Sequence, residues 1–215
     1  RPGGGSFEVE ASFYGLRYRA DLNDLIDWSI YFHGAYEKPE LTLLGELLAQ
    51  RPGAVAVDVG ASAGQHTLFF SRLCDHVHAF EPYEPLRRRL EDHVALNSLD
   101  NVTIHPVGIA DVEGELDFYE PLQSNVCEGS FARPFTRPVP GPPSPLPVVH
   151  GDTFLDSLDL PRLDLVKIDV EGFERNVLIG LRETLRRHRP LMLLEFTRYT
   201  RMSLRDRGEL FELLP

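Results

Sequence analysis

Residues 55–64, Val-Ala-Val-Asp-Val-Gly-Ala-Ser-Ala-Gly, constrain the fold of this chain more than any other stretch. The apolar run Val55 to Val59 reads as a strand buried on both faces, and Gly60 to Gly64 as a tight turn into a helix. Glycines at such a turn let a ligand lie against the backbone where the strand ends. The spacing is Asp-x-Gly-x-x-x-Gly, not the Gly-x-Gly-x-x-Gly that seats a pyrophosphate on a helix N-terminus. A carboxylate at Asp58 repels phosphate and attracts a cation, such as the amino group of a methionine-derived cofactor. S-adenosylmethionine is therefore the first candidate and NAD the rival.

The flanking sequence repeats this strand-turn-helix pattern. Strands are expected at Val77–Phe80, Val102–Val107, Leu163–Val170 and Leu191–Phe196. Between them, apolar positions at helical spacing predict helices to about Cys74, over about Glu84 to Asn97, and after Glu171. Alternation with short connections predicts an α/β fold with a doubly wound, mainly parallel sheet. Upstream, residues 7–53 read as a helical lead-in. One helix runs from about Asp21 to Ile30, capped by Asp21 or Asn23, and a second has Pro39 in its first turn. Residues 1–6 resemble a linker or expression remnant. Residues 115–119 read as a strand antiparallel to its predecessor. The proline-rich residues 133–147 read as a surface loop, because proline brings no backbone donor to a helix or central strand. A last helix is expected at about Leu204 to Leu214.

A net charge of −11 gives no general field for phosphate backbones and argues against nucleic acid as the main substrate. The arginine runs at 87–89 and 186–189 read as solvated helix faces. No stretch is long and apolar enough to cross a bilayer, and the start is not a signal peptide. Two cysteines, Cys74 and Cys127, imply no disulfide framework, so a reducing, cytoplasmic setting is expected.

Ligands of an open parallel sheet sit beyond the carboxyl ends of its strands, and here those ends carry Asp58, Glu81, Asp169 with Glu171, and Glu195. Glu81, at the end of the second strand, is placed to accept both hydroxyls of a ribose. Glu195 is expected to be structural, pairing with a backbone group or Arg198.

The motifs Val57-Asp58-Val59-Gly60-Ala61 with Gly64, Phe80-Glu81-Pro82, Leu165 to Glu174 and Leu194-Glu195 resemble the FkbM-type family of S-adenosylmethionine-dependent methyltransferases. Gly34-Ala35-Tyr36-Glu37 resembles the segment leading into that family's domain, and the match runs from about residue 32 to 196. The resemblance implies a Rossmann-like class I methyltransferase domain, here residues 54–215, acting on a hydroxyl of a small molecule or glycan. It puts the methionine part of the cofactor over Asp58, Gly60, Ala61 and Gly64, the ribose on Glu81, and the adenine near Val107 and Gly108. Asp169 would sit near the sulfonium, with Glu171 beside it. His66 stands where the family often has an aromatic, and the chain ends before the final antiparallel hairpin of a seven-stranded sheet. A hydroxyl acceptor must lose its proton, so Asp169 and Glu171 are the leading bases, with His33 and Glu37 as alternatives. Asp169, Glu171 and Glu195 could gather a hard cation, but the resemblance demands none and no metal is expected. A non-catalytic module that retains the fold is the remaining alternative.

Overall fold

The computed structural model describes residues 7–121, 129–132 and 141–214. The expected linker at 1–6, Cys127 and residues 133–140 of the proline-rich stretch lie outside the described residues.

Five parallel strands form the central sheet. They are β3 (Val55–Val59), β4 (His76–Phe80), β5 (Val102–His105), β9 (Leu165–Ile168) and β10 (Leu191–Leu194), in the order β10-β9-β3-β4-β5. Numbered by their sequence among themselves, that order is 5-4-1-2-3. The winding therefore reverses between β3 and β9, which is the Rossmann-like switch point where ligands bind. Every residue of β3 is buried, as its unbroken apolar run predicts for a strand covered on both faces.

Side-chain alternation splits the core across the sheet. Ala56, Val77 and Leu165 face α2 (Lys38–Leu48) and α3 (Gln65–Ser71). Ala79, on the same side as Val77, packs against Leu90 of α4 (Glu84–Leu96). Val57, Val59, Phe80, Val166 and Ile168 face α6 (Glu174–Gly180) and α7 (Arg182–His188). The doubly wound expectation holds.

The lead-in is not wholly helical. It opens with the hairpin β1 (Glu8–Phe13) and β2 (Leu16–Asp21), joined by Tyr14 and Gly15, both at positive φ (+47° and +82°). Two such residues make the mirror-image turn whose twist matches paired strands. The hairpin buries Phe13, Leu16, Tyr18 and Ala20. Helix α1 (Leu25–His33) therefore starts later than expected, capped by Asp24, whose side chain accepts from the Ile26 and Asp27 N–H groups.

A second, three-stranded sheet also departs from expectation. Beyond β5, which ends at His105 rather than Val107, β6 (Gly108–Ala110), β7 (Gly114–Phe118) and β8 (Ser144–His150) pair in the order β6-β8-β7. Thus β7 is antiparallel to β8, not to its predecessor, and β8 draws part of the proline-rich stretch into a strand. Pro145 and Pro147 are two apart, so their missing donors share one edge of β8. β6 joins β8 only at Val148–His150, which leaves β7 as the single strand beside the proline half among the described residues.

Helix α5 (Gly151–Ser157) leads toward β9. After β10 the chain runs through α8 (Arg198–Ser203) and α9 (Arg207–Leu213), two short helices where one was expected. No strand follows β10 among the described residues. Of the arginine runs, Arg89 is not a solvated face: it reaches the buried Asp27 of α1.

Candidate functional site

The turns after β3, β4, β9 and β10 converge on two clefts that share Gly60, Ser62, Asp169 and Glu171. The first cleft is mostly apolar, with Phe80, Glu81, Gly108, Ile109, Phe118, Phe131 and Phe173 in its wall. The second is polar, walled by Tyr36, Glu37, Gln65, His66, Lys167 and Glu195. A larger hollow between the β1–β2 hairpin and α4 is lined by Arg19, Asp24, Arg89 and His93. It adjoins the apolar cleft, with which it shares Leu86.

Gly60 fixes the wall between the clefts. Its φ is +78°, and a Cβ there would stand 1.9 Å from the main-chain oxygen of Asp169. The Asp169 N–H donates to Val59 O at 3.1 Å, so the β3 and β9 turns meet backbone to backbone.

Asp58 is not at the mouth of the turn. It is wholly buried, with Oδ2 accepting from the Thr67 hydroxyl at 2.7 Å and Oδ1 3.2 Å from Lys167 Nζ. Its register opposite Lys167 explains this, because side chains paired across β3 and β9 point to the same face. Lys167, 3% exposed, also donates to Gly60 O at 3.0 Å and lies 3.4 Å from Asp169 Oδ2. Burial opposes its charge, but Asp58 and Asp169 outweigh burial and hold the amine above its ordinary range. Asp58 therefore acts on the turn through Lys167. Sequence reasoning did not single out Lys167 as a site residue, although a lone charge inside the apolar run Leu165 to Ile168 was the available signal.

Glu81 sits where expected. It is 5% exposed, and its two oxygens accept from the Ser62 and Tyr83 N–H groups, each at 2.9 Å. Burial pushes its carboxyl up to about 7 against those two donors. Each oxygen keeps a further lone pair for a hydroxyl donor from a ligand. Ala61 is buried against Ala79 and Leu90, and Gly64 opens α3. Gly108 lines the apolar cleft with the Phe131 ring packed directly against it. Val107 does not line it; it packs into the core, because β5 has already ended and the chain is turning into β6. Phe118 and Phe131, 5.2 Å apart edge to face, were not foreseen. Phe118 ends the strand expected at 115–119, and Phe131 stands just before the proline-rich stretch.

The acidic expectations divide. Asp169 and Glu171 line both clefts, and Glu171 is held at φ +54° by the β9 turn. Glu174, fully buried, accepts from the Val170 and Gly172 N–H groups and fixes that turn. Glu37 is in the polar cleft, 3.5 Å from His66 Nε2, and burial followed by the Asp169 charge raises its carboxyl. His33 is not brought to the site. It ends α1 on the exposed side, edge-on to Trp28, because the chain turns at Gly34 before reaching the cleft.

Glu195, expected to be a paired structural residue, instead lines the polar cleft with a buried Oε2 that has no hydrogen-bond partner. Burial, then the Asp169, Glu171 and Glu174 charges, push its carboxyl up to about 9. Burial, with Lys167 adding to it, pushes His66 down to about 3 and leaves its ring neutral. The site can therefore accept hydroxyl donors in one cleft and confront a polar ligand with carboxylates in the other.

A family model for the methyltransferase FkbM domain matches residues 58–211. Among curated proteins, AMB antimetabolite synthetase AmbE of Pseudomonas aeruginosa is 30% identical over 164 residues, which is 60% of this chain and 8% of that protein. Among solved structures, methyltransferase FkbM of Methylobacillus flagellatus is similar over 66% of this chain and 32% of its own, at 19% identity and a TM-score of 0.46. The Pyrococcus abyssi tRNA (uracil-54, C5)-methyltransferase in complex with S-adenosyl-L-homocysteine is similar over 98% and 38%, at 10% identity and a TM-score of 0.49.

Proposed function

Since this chain belongs to the FkbM methyltransferase family, we propose that it transfers the methyl group of S-adenosylmethionine to a hydroxyl oxygen of a small molecule or glycan. The observation that carries this reading is the junction of the two clefts at Gly60, Ser62, Asp169 and Glu171, which sets a mostly apolar cleft edged by Glu81 against an acidic polar one.

Glu81 would accept the ribose hydroxyls, its oxygens already oriented by the Ser62 and Tyr83 amides. Gly108 and Phe131 would together form one wall beside the adenine, and Gly60, Ala61 and Gly64 would lie under the methionine part. Bound there, the cofactor supplies an electrophilic methyl group on a sulfonium whose leaving thioether is neutral. The chain's own contribution is to hold the acceptor in line and exclude water. Tyr36, Glu37 and His66 wall the side on which the acceptor would stand. Asp169, at the junction, would take the hydroxyl proton, with Glu171 beside it.

The test is calorimetric titration with S-adenosylhomocysteine beside NAD, followed by turnover of Asp169→Asn with hydroxylated acceptors. Selective homocysteine-nucleoside binding, and a turnover loss of about 10²–10⁴ in the variant with cofactor affinity kept within a few fold, is expected. Binding of NAD alone would replace the reading with a dehydrogenase, and binding of neither would favour a non-catalytic module.

A further inference from the structure

We propose that Asp169, Glu171 and Glu195 hold a divalent metal cation in the polar cleft that His66 also lines. One oxygen from each of the three carboxylates lies within 4.8 Å of the others, a spacing that a single ion with oxygen ligands at roughly 2.0–2.6 Å can bridge. The three side chains come from the ends of the neighbouring parallel strands β9 and β10, so the fold itself brings them together. Lys167 does not fill the gap. Its amine is engaged by Asp58, Gly60 O and one oxygen of Asp169.

Two further atoms lack partners in this cleft. Glu195 Oε2 is buried and accepts no hydrogen bond. Independently, His66 comes from α3 and is 7% exposed, and its buried Nε2 makes no hydrogen bond, with Glu37 Oε2 the near contact at 3.5 Å. A buried acceptor and a buried imidazole nitrogen are each costly alone. A hard cation satisfies the first directly and the second through a bound water. The all-carboxylate donor set suits magnesium, manganese or calcium rather than a thiophilic metal. The cation's role rests on the methyl-transfer reading: it would hold the acceptor oxygen at the cleft junction.

The experiment is titration of the purified chain with MnCl2, read by calorimetry and by the loss of the free-ion electron paramagnetic resonance signal, with MgCl2 as competitor. One ion per chain is expected. Affinity should fall at least tenfold in both Glu195→Gln and Glu171→Gln, and should be unchanged in His76→Ala, which removes a histidine on another face of the sheet. Far-UV circular dichroism checks that each variant is folded. Absence of saturable binding by the wild-type chain, or wild-type affinity in both folded glutamine variants, would overturn the proposal. A parallel titration with S-adenosylhomocysteine separates the two readings. A chain that binds it but not manganese keeps the methyl-transfer assignment and loses the cation. One that binds manganese through Glu171 and Glu195 but no nucleoside keeps the cation and loses the methyl-transfer role.

Discussion

Lys167 and Asp58 form the buried charge pair on which the site's geometry rests. Removing one member of such a pair strands the other in the interior and costs about 3–5 kcal/mol, whereas replacing both by apolar side chains is often neutral. Lys167→Met is therefore expected to lower the urea unfolding free energy by about that amount, and Asp58→Leu combined with Lys167→Met to recover most of it. The double variant should still bind S-adenosylhomocysteine poorly, because Gly60 O and Asp169 lose their shared donor. Stability recovered together with wild-type cofactor affinity would show that the pair serves packing alone. At this scale the sequence was informative wherever a residue sat alone in a contrasting run. Asp58, Glu81 and Asp169 were legible as acids closing apolar strands. So was Glu195, though as a structural residue; His66 and Phe131 were not, because their significance lies in what surrounds them in the folded clefts.

On the sheet, His76, His78 and His105 share the face turned to Phe154. His78 Nδ1 and His105 Nε2 are 3.1 Å apart, and burial followed by neighbouring histidines pushes both groups down to about 4. The unfolded chain binds protons at these positions near 6.5, so between about 6.5 and 4 it holds more protons than the folded one. Stability from this face is therefore complete above 6.5 and lost as pH falls toward 4. The urea midpoint is expected to drop steeply over that window, and less steeply in His105→Phe. Equal slopes would remove the histidine pair as the cause. Strands β3, β4 and β9 were readable from sequence because burial on both faces leaves short, mainly apolar runs with few polar residues. The β1–β2 hairpin was missed although Val9, Ala11 and Phe13, then Leu16, Tyr18 and Ala20, alternate around Tyr14-Gly15. The helix read from about Asp21 to Ile30 set the reading of the whole lead-in as helical, and period two is a weaker signal over six residues. β8 was hidden by its prolines, which a strand tolerates where one edge has no neighbour.

Across the whole molecule, that hairpin is tied to the site. His93 of α4 accepts from the Arg19 N–H at 3.0 Å through Nε2, and its Nδ1 is 2.8 Å from Ala63 O in the turn after β3. Tyr18 stacks on the same imidazole at 4.2 Å and donates to Asp27, which Arg89 also reaches. Removing residues 1–21 would strip this support and expose the face that Phe13 covers, itself worth roughly 1.5–3 kcal/mol. Such a chain retains the whole family match at 58–211, yet its melting temperature should fall by several degrees or more and its affinity for S-adenosylhomocysteine should weaken. Unchanged melting and binding would make the hairpin an ornament. The contact between Gly60 and Asp169 carries a different consequence, for the routes by which this sequence can diverge. The atom that excludes a side chain at position 60 is a main-chain oxygen, which every amino acid at position 169 supplies. No exchange at the partner position can make room, so a lineage that loses this glycine has only true reversion as a way back.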